Sequence, residues 1–252
     1  MKKILIPLPT YGFDPTEAAI PWKILKEKGM QVFFATPEGK KATCDQLMLK
    51  GEKLGIWKKI LMARLDAVQA YMAMDQDPAF CNPFSFTELV DKDFDVLVLP
   101  GGHDKGVREY LESGLLQGLV STYFVDNKTV AAICHGVVLV ARSVFPGTRK
   151  SVLYDYKTTA LLSSQELGAY QLTRLWLKDY YLTYPQISVE KEVRSVLSAK
   201  ENFITGPMPF LRDDPARLSR GFTVRDRNYL SARWPGDAYS FSMELLKMIE
   251  AG

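Results

Sequence analysis

Histidine is scarce in this sequence, with only His103 and His135 among 252 residues. The cysteines are also few, and neither residue type occurs in a paired ligand spacing such as CxxC or HxxxH. No glycine-rich fingerprint of the GxGxxG or GxxxxGKS/T type follows an apolar run. These patterns predict no metal site, no nucleotide site and no cofactor.

The cysteines number only three, Cys44, Cys81 and Cys134. An odd number in a long chain argues against a disulfide framework and favours a reducing compartment. The apolar run that follows two N-terminal lysines is short and broken by prolines, so it predicts a first strand rather than a signal peptide. No apolar run is long enough to span a bilayer. We therefore expect a cytoplasmic protein.

A marked excess of one charge sign is absent as well, since 32 basic and 29 acidic residues leave a net charge of +3. This balance gives no reason to expect nucleic acid or an anionic membrane as a partner. Hydrophobic residues make up 47% of the chain, as in an ordinary globular protein. The length predicts one α/β domain over residues 1–252.

Alternating strand and helix patterns indicate the fold class. An apolar strand over residues 3–8, a helix over 16–29 and a strand over 31–36 form a βαβ unit, which implies a parallel sheet. Further strands are predicted at 95–99 and 129–133. We expect an α/β, doubly wound, mostly parallel sheet of the flavodoxin-like type, with helices on both faces.

The remaining segments predict insertions and a C-terminal part. A helical insertion is expected around residues 47–80, with one long helix over 47–74, and an extended segment around 168–220. The other predicted helices cover 105–125, 157–166 and 239–250, and the other predicted strands cover 150–154, 203–207, 222–226 and the residues after 228.

The stretch from Thr129 to Arg142 carries the clearest chemical signal. A β-branched apolar run stops at Cys134, His135 and Gly136, and a small-residue helical segment follows. A sharp strand-to-helix turn with a nucleophile at its corner is a nucleophile elbow. The adjacent helix N-terminus favours thiolate over thiol, so Cys134 is predicted to be an acidified, accessible nucleophile. A buried structural cysteine is the alternative.

Two glycines and a histidine follow the strand at 95–99. Gly101 and Gly102 suit a turn whose N–H groups, together with that of His135, form an oxyanion site for a bound carbonyl. The alternative is that the pair only permits a tight loop. His103 is expected either to touch substrate or to hold this loop.

Four motifs, in this order and spacing, make the sequence resemble the ThiJ/PfpI superfamily of the class I glutamine amidotransferase-like fold. They are Glu17 with Pro21 and Gly29, then Ala35-Thr36-Pro37, Pro100-Gly101-Gly102-His103, and Ala132-Ile133-Cys134-His135-Gly136. The similarity is closest to the branch of heat-shock glyoxalases and chaperones. That branch also has Glu four residues before Pro, and PGGH before the elbow.

The resemblance implies roles for further residues. It places the Glu17 carboxyl against Cys134, and it pairs His135 with a carboxylate from the segment after the elbow helix, for which Asp155 stands at the matching place. No histidine follows His135, so the base of a true glutamine amidotransferase is missing.

Three functions are compatible with these residues. The first, which the resemblance implies, is a cofactor-independent glyoxalase that converts methylglyoxal, a small carbonyl substrate, to lactate through Cys134 and Glu17. The alternatives are a Cys134–His135–Asp155 amidase or peptidase, and a non-catalytic oxidative-stress sensor or chaperone. The aromatic cluster of Tyr170, Trp176, Tyr180, Tyr181 and Tyr184 would line a ligand cavity or an oligomer contact. Superfamily members are often dimers, so the resemblance suggests a homodimer.

Overall fold

The computed structural model describes residues 1–251. Their strands are β1 Lys3–Pro7, β2 Tyr11–Phe13, β3 Gln31–Thr36, β4 Thr43–Cys44, β5 Phe84–Ser85, β6 Val96–Leu99, β7 Thr129–Ile133, β8 Thr223–Asp226 and β9 Tyr229–Ala232. The α-helices are α1 Pro15–Glu27, α2 Gln46–Lys50, α3 Lys58–Leu61, α4 Leu65–Met74, α5 Pro78–Cys81, α6 Arg108–Leu111, α7 Gly114–Val125, α8 Gly136–Arg142, α9 Ser163–Leu177, α10 Val189–Ser195 and α11 Ala238–Ala251.

The main sheet has seven strands in the order β5-β3-β1-β6-β7-β9-β8. All pairs are parallel except β8 with β9, which form an antiparallel hairpin. The helix group α1, α4 and α11 packs together, and α8 packs with α6, α7 and α10. The prediction of an α/β, doubly wound, mostly parallel sheet is confirmed.

The central strands are apolar on both faces because helices cover both. Strands β1, β6 and β7 are buried along nearly their whole length. Because these three strands are parallel, their carboxyl ends lie at the same edge of the sheet. Ligands bind at this edge in open α/β sheets, so the fold directs attention to the residues that follow these three strands.

Local sequence signals fix the first helix. The Asp14 side chain accepts hydrogen bonds from the N–H groups of Thr16 at 2.8 Å and Glu17 at 3.1 Å, and Pro15 occupies the first turn. Beyond the other end, Gly29 has φ +77°. Glu17 thus lies in the first turn of α1, a short distance after β1.

Two predicted helices are wrong in length. Residues 47–74 form α2, α3 and α4 rather than one helix. Gly51 and Gly55, with left-handed φ values of 64° and 55°, separate α2 from α3, and the extended backbone at Met62 and Arg64 separates α3 from α4. Residues 105–125 divide into α6 and α7, because Ser113 begins a new helix by capping the N–H of Leu116.

The segment after the elbow helix contains the other errors. Residues 150–154 and 203–207, predicted as strands, form only single bridges, Val144 with Ser151 and Thr158 with Phe203. The predicted helix at 157–166 is wrong, since the chain turns there and α9 begins at Ser163. The helices α9 and α10 occupy much of the segment that was expected to be extended.

Candidate active site

Cys134 stands at the corner between β7 and α8 with φ +58°, a strained value for a residue that is not glycine. Its backbone N–H donates to the Ala232 carbonyl of β9 at 3.1 Å, which fixes the corner to the sheet. Gly136 allows the turn, because a Cβ there would lie 2.0 Å from the Leu99 carbonyl oxygen of β6. The strand-to-helix turn predicted from the sequence is present.

Glu17 lies against this corner. Its Oε2 accepts a hydrogen bond of 2.7 Å from the Gly101 N–H, in the turn that follows β6. A Cβ placed on Gly101 would lie 3.0 Å from that oxygen, 3.1 Å from the Cβ of Cys134 and 2.5 Å from the His135 nitrogen. The structure therefore brings the predicted residues Cys134, Glu17, Gly101 and His135 to one point.

The thiol is neither acidified nor accessible, and this corrects the expectation from the sequence. Cys134 is only 1% exposed, and Glu17 is fully buried. Burial, followed by the nearby Glu17 charge, raises the pKa of the Cys134 thiol well above its usual range, while the His135 N–H lowers it. Burial also raises the pKa of Glu17 well above its usual range, and Asp14 adds to this effect. The buried pair of Cys134 and Glu17 therefore resists a second negative charge.

Both histidines are present at the site as neutral rings. His135 Nδ1 lies 3.5 Å from Cys134 Sγ, and the His135 ring packs edge-on against His103, with centroids 5.0 Å apart. Burial lowers the pKa of His103 to about 4 and that of His135 well below its usual range. Within residues 1–251, His135 Nε2 has no hydrogen-bond partner. Neither ring supplies a positive charge that would stabilise a thiolate.

Asp155 is not part of this site, so the proposed pairing with His135 is wrong. Its side chain is exposed, and its carbonyl accepts a hydrogen bond of 2.8 Å from Arg227, in the turn before β9. Because β9 runs parallel to β7, the start of β9 lies at the edge of the sheet opposite Cys134. The chain turns at 151–156 instead of forming the strand that would have carried Asp155 forward.

The glycine pair also differs from its predicted role. The Gly101 N–H is bound by Glu17 and is not free to stabilise an oxyanion. Gly102 allows close packing, since a Cβ there would lie 2.4 Å from the Gly12 carbonyl oxygen of β2. Of the three expected donors, the His135 N–H is the one that faces the thiol.

Aromatic residues that follow α9 cover the site. The Tyr181 ring packs edge-on against His103, with centroids 4.9 Å apart, and Tyr180 donates from its hydroxyl group to Asp45, the cap of α2. Tyr181 also forms a small buried cluster with Met48 and Leu54. The sequence analysis placed these two tyrosines in an aromatic cluster but did not predict that they cover the site.

Two further residues near the pair were missed. Asp14 is buried, and its charge raises the pKa values of both Glu17 and Cys134. Its signal was an ordinary helix cap before proline. Burial, followed by the nearby Glu17 carboxylate, raises the pKa of Tyr110, and the Tyr110 hydroxyl group has no partner among the described residues.

Metal-binding groups and membrane spans were sought in residues 1–251. No group of three or more histidine, cysteine or acidic side chains is arranged to hold a metal ion there. No helix in this range has the length and apolarity needed to cross a bilayer. The cysteines Cys44, Cys81 and Cys134 are free in the same range.

Comparisons with known proteins agree with this architecture. An uncharacterized protein of Schizosaccharomyces pombe is 29% identical over 182 residues, which is 68% of this chain and 67% of that protein. The glutathione-independent glyoxalase hsp3101 of the same yeast is 29% identical over 159 residues, 62% of this chain and 61% of that protein, which is less than two thirds. The crystal structure of glyoxalase III from Candida albicans superposes with a TM-score of 0.69 at 18% identity, covering 100% of this chain and 98% of that one.

The family itself is shown by a broader match. The family model described as ThiJ/PfpI family-like matches residues 8–207, which include the first helix, the glycine turn and the elbow. The resemblance noted in the sequence is thereby confirmed. This chain belongs to the ThiJ/PfpI-like family.

Proposed function

We propose that this protein is a cysteine-dependent, glyoxalase-like enzyme that acts on small reactive carbonyl compounds and converts methylglyoxal to lactate. The observation that carries the proposal is the buried pair of Cys134 and Glu17, in which a carboxyl group with a raised pKa lies beside a thiol. A carboxyl group with a raised pKa is suited to accept a proton and to give it back.

The relatives support the same class of chemistry. The relative hsp3101, which is 29% identical over 62% of this chain, is named a glutathione-independent glyoxalase. Turnover without glutathione is compatible with a thiol supplied by the protein, and Cys134 is the thiol at the elbow.

The first step is addition of the thiol to the aldehyde. As the Cys134 sulfur attacks the aldehyde carbon, Glu17 accepts the thiol proton and passes it to the aldehyde oxygen. The product is a hemithioacetal, and Glu17 is again a carboxylate. Because the raised thiol pKa makes a free thiolate costly, sulfur attack and proton transfer to Glu17 occur together.

The second step moves hydrogen between the two carbons. Glu17 removes the proton from the carbon bound to sulfur and returns it to the former ketone carbon, while the hydroxyl proton shifts between the two oxygens. The hemithioacetal thereby becomes a lactoyl thioester. Water hydrolyses the thioester, releases lactate and restores the thiol, so that methylglyoxal plus water gives lactic acid.

The two alternatives have less support. A Cys-His-Asp hydrolase requires a carboxylate beside His135, and Asp155 lies at the opposite edge of the sheet. An oxidation sensor requires an exposed thiol of low pKa, whereas Cys134 is buried and burial raises its pKa. Neither a hydrolase nor a sensor is proposed.

The test is lactate formation from methylglyoxal without added thiol, in wild type, Cys134→Ser and Glu17→Gln. Cys134→Ser should abolish turnover, and Glu17→Gln should lower kcat/KM by about 10²- to 10⁴-fold, the usual contribution of a general base. Cys44→Ser and Glu166→Gln are matched controls, because each replaces another buried cysteine or glutamate. Turnover that survives in Cys134→Ser would overturn the proposal.

A further inference from the structure

The outer side of the segments that cover the site carries an unusual surface. Two neighbouring segments, residues 53–60 and helix α9, expose large apolar side chains, although the chain as a whole has an ordinary composition. Ile56 is 87% exposed, Leu175 88%, Ile60 60% and Trp176 44%. Helix α9 has 15 residues, yet only Glu166 and Thr173 are buried in it.

The two segments lie side by side and share one groove. Trp176 donates from its ring N–H to the Lys53 carbonyl at 2.7 Å, which joins α9 to the segment that contains Ile56. Ile56, Leu172 and Trp176 line the same shallow groove, about 470 Å³ in volume. Ile60 follows Ile56 by one helical turn. We name Ile56, Ile60, Leu172, Leu175 and Trp176 the apolar face.

The same two segments, with the residue that follows α9, carry basic side chains that we call the basic surround. They are exposed, and none forms a salt bridge with another residue of the described chain: Lys53, Lys58, Lys59, Arg174 and Lys178. Residues 50–62 contain four lysines and one glutamate, a net charge of +3, as large as that of the entire chain. The balanced total composition, from which no membrane partner was expected, conceals this local excess.

We propose that the apolar face and its basic surround form a docking surface for an anionic lipid bilayer. Apolar side chains that protrude above a basic rim are suited to insertion at the level of the lipid headgroups, with the cations on the phosphates. This inference is independent of the proposed enzymatic activity, and its test does not use that activity.

Two features favour lipid over a second copy of the chain or a protein partner. In a symmetric dimer the same face meets itself, so five cations would oppose five cations. Ile56 and Leu175 project almost fully into solvent, beyond the shallow groove, so a protein partner would need pockets of its own to receive them. An anionic bilayer accepts protruding apolar groups and neutralises the basic rim.

The test is co-sedimentation of the full chain with vesicles of phosphatidylcholine alone and of an equimolar mixture with phosphatidylserine. We expect binding to the anionic vesicles that weakens as salt is added, and little binding to the neutral ones. Lys58→Gln with Lys59→Gln should lower the partition coefficient about 25-fold, from about fivefold for each lysine. Ile56→Ser with Leu175→Ser should lower it roughly tenfold or more.

Matched controls lie away from this surface. Lys191→Gln with Lys200→Gln removes the same charge from exposed positions, and Val125→Ser removes an apolar side chain that is 58% exposed. These variants should bind like wild type. Three results would each overturn the inference: equal losses in the controls, no preference for anionic vesicles, or a solution dimer that Ile56→Ser with Leu175→Ser dissociates. Binding to soluble polyglutamate as strong as to vesicles would instead assign the surface to an acidic protein.

Discussion

Replacing Glu17 by glutamine separates the two effects that this side chain has on Cys134. The amide keeps an oxygen that can accept the Gly101 N–H, so the loop after β6 retains its anchor. The substitution removes the negative charge that raises the thiol pKa, and it also removes the proton acceptor. A more acidic thiol and a less active protein are therefore expected from one change.

The size of the pKa change follows from Coulomb's law. Two unit charges about 5 Å apart, at an effective dielectric constant of about 20, repel by roughly 3 kcal/mol, which corresponds to about 2 pKa units. We expect the pKa of Cys134 to fall by about 2 units in Glu17→Gln. It should still lie above that of a free thiol, because burial, the larger cause of the increase, is unchanged.

The assay is the ultraviolet absorbance of the thiolate against pH, with the signal of Cys134→Ser subtracted. Glu166→Gln is the control, since Glu166 is buried with a pKa raised to about 7 and lies in α9 rather than beside the thiol. The same samples give kcat/KM for methylglyoxal. In wild type, kcat/KM should rise as the pH passes the raised pKa of Glu17, and this rise should disappear in Glu17→Gln.

Two results would refute this reasoning. A thiol pKa that is unchanged or higher in Glu17→Gln would mean that Glu17 stabilises the thiolate as a protonated donor and does not repel it. Undiminished turnover at neutral pH in the same variant would mean that Glu17 is not the base.

Four other predictions concern the frame of the site. Gly136→Ala should lower the free energy of unfolding by at least about 1–3 kcal/mol in urea titrations, because the new Cβ would lie 2.0 Å from a strand carbonyl oxygen; wild-type stability would contradict this. Asp155→Asn should leave kcat/KM within about twofold of wild type, since the side chain is exposed; a large loss would return Asp155 to the site. Asp237→Ala should destabilise the fold by about 3–5 kcal/mol, because it leaves the fully buried Arg233 guanidinium without its carboxylate; thermal unfolding close to wild type would exclude this role. Because the pKa of His103 is about 4 in the folded protein and about 6.5 in the unfolded chain, the unfolded chain binds a proton first as the pH falls, and stability is lost between these values. In His103→Gln this loss of stability should shrink by up to about 1.4 kcal/mol per pH unit; an unchanged loss between about pH 6.5 and pH 4 would contradict the prediction.

Much of the fold was predictable because its signals are local. The strand Gln31–Thr36 was placed with correct bounds from its apolar run and the proline that follows. The residues 47–74 were not, because their composition favours helix throughout. They are divided by the left-handed φ values of Gly51 and Gly55 and by extended backbone at Met62 and Arg64. The sequence alone does not predict whether a glycine inside a helical pattern interrupts the helix, because this depends on how its neighbours pack.

The site was predictable in identity but not in electrostatics. The position of Cys134 follows from the strong strand-to-helix signal after β7, whereas the placing of Glu17 against it came from the family resemblance. The pKa of the thiol depends on burial by residues far along the chain, such as Tyr181, and the sequence gives no distance between them. The assignment of Asp155 failed for a related reason, since a strand was predicted where the chain turns.

The burial that raises the thiol pKa also determines which chemistry can take place. A thiolate could be stabilised by an imidazolium, yet both histidines are neutral at neutral pH because burial lowers their pKa values. Asp14 is also near, but its Oδ1 is occupied by the cap of α1. In the proposed reaction the proton of Cys134 must therefore leave during the attack, and Glu17 is the group proposed to receive it. It follows that the protonation of Glu17, and not the intrinsic acidity of the thiol, should control the pH dependence of turnover.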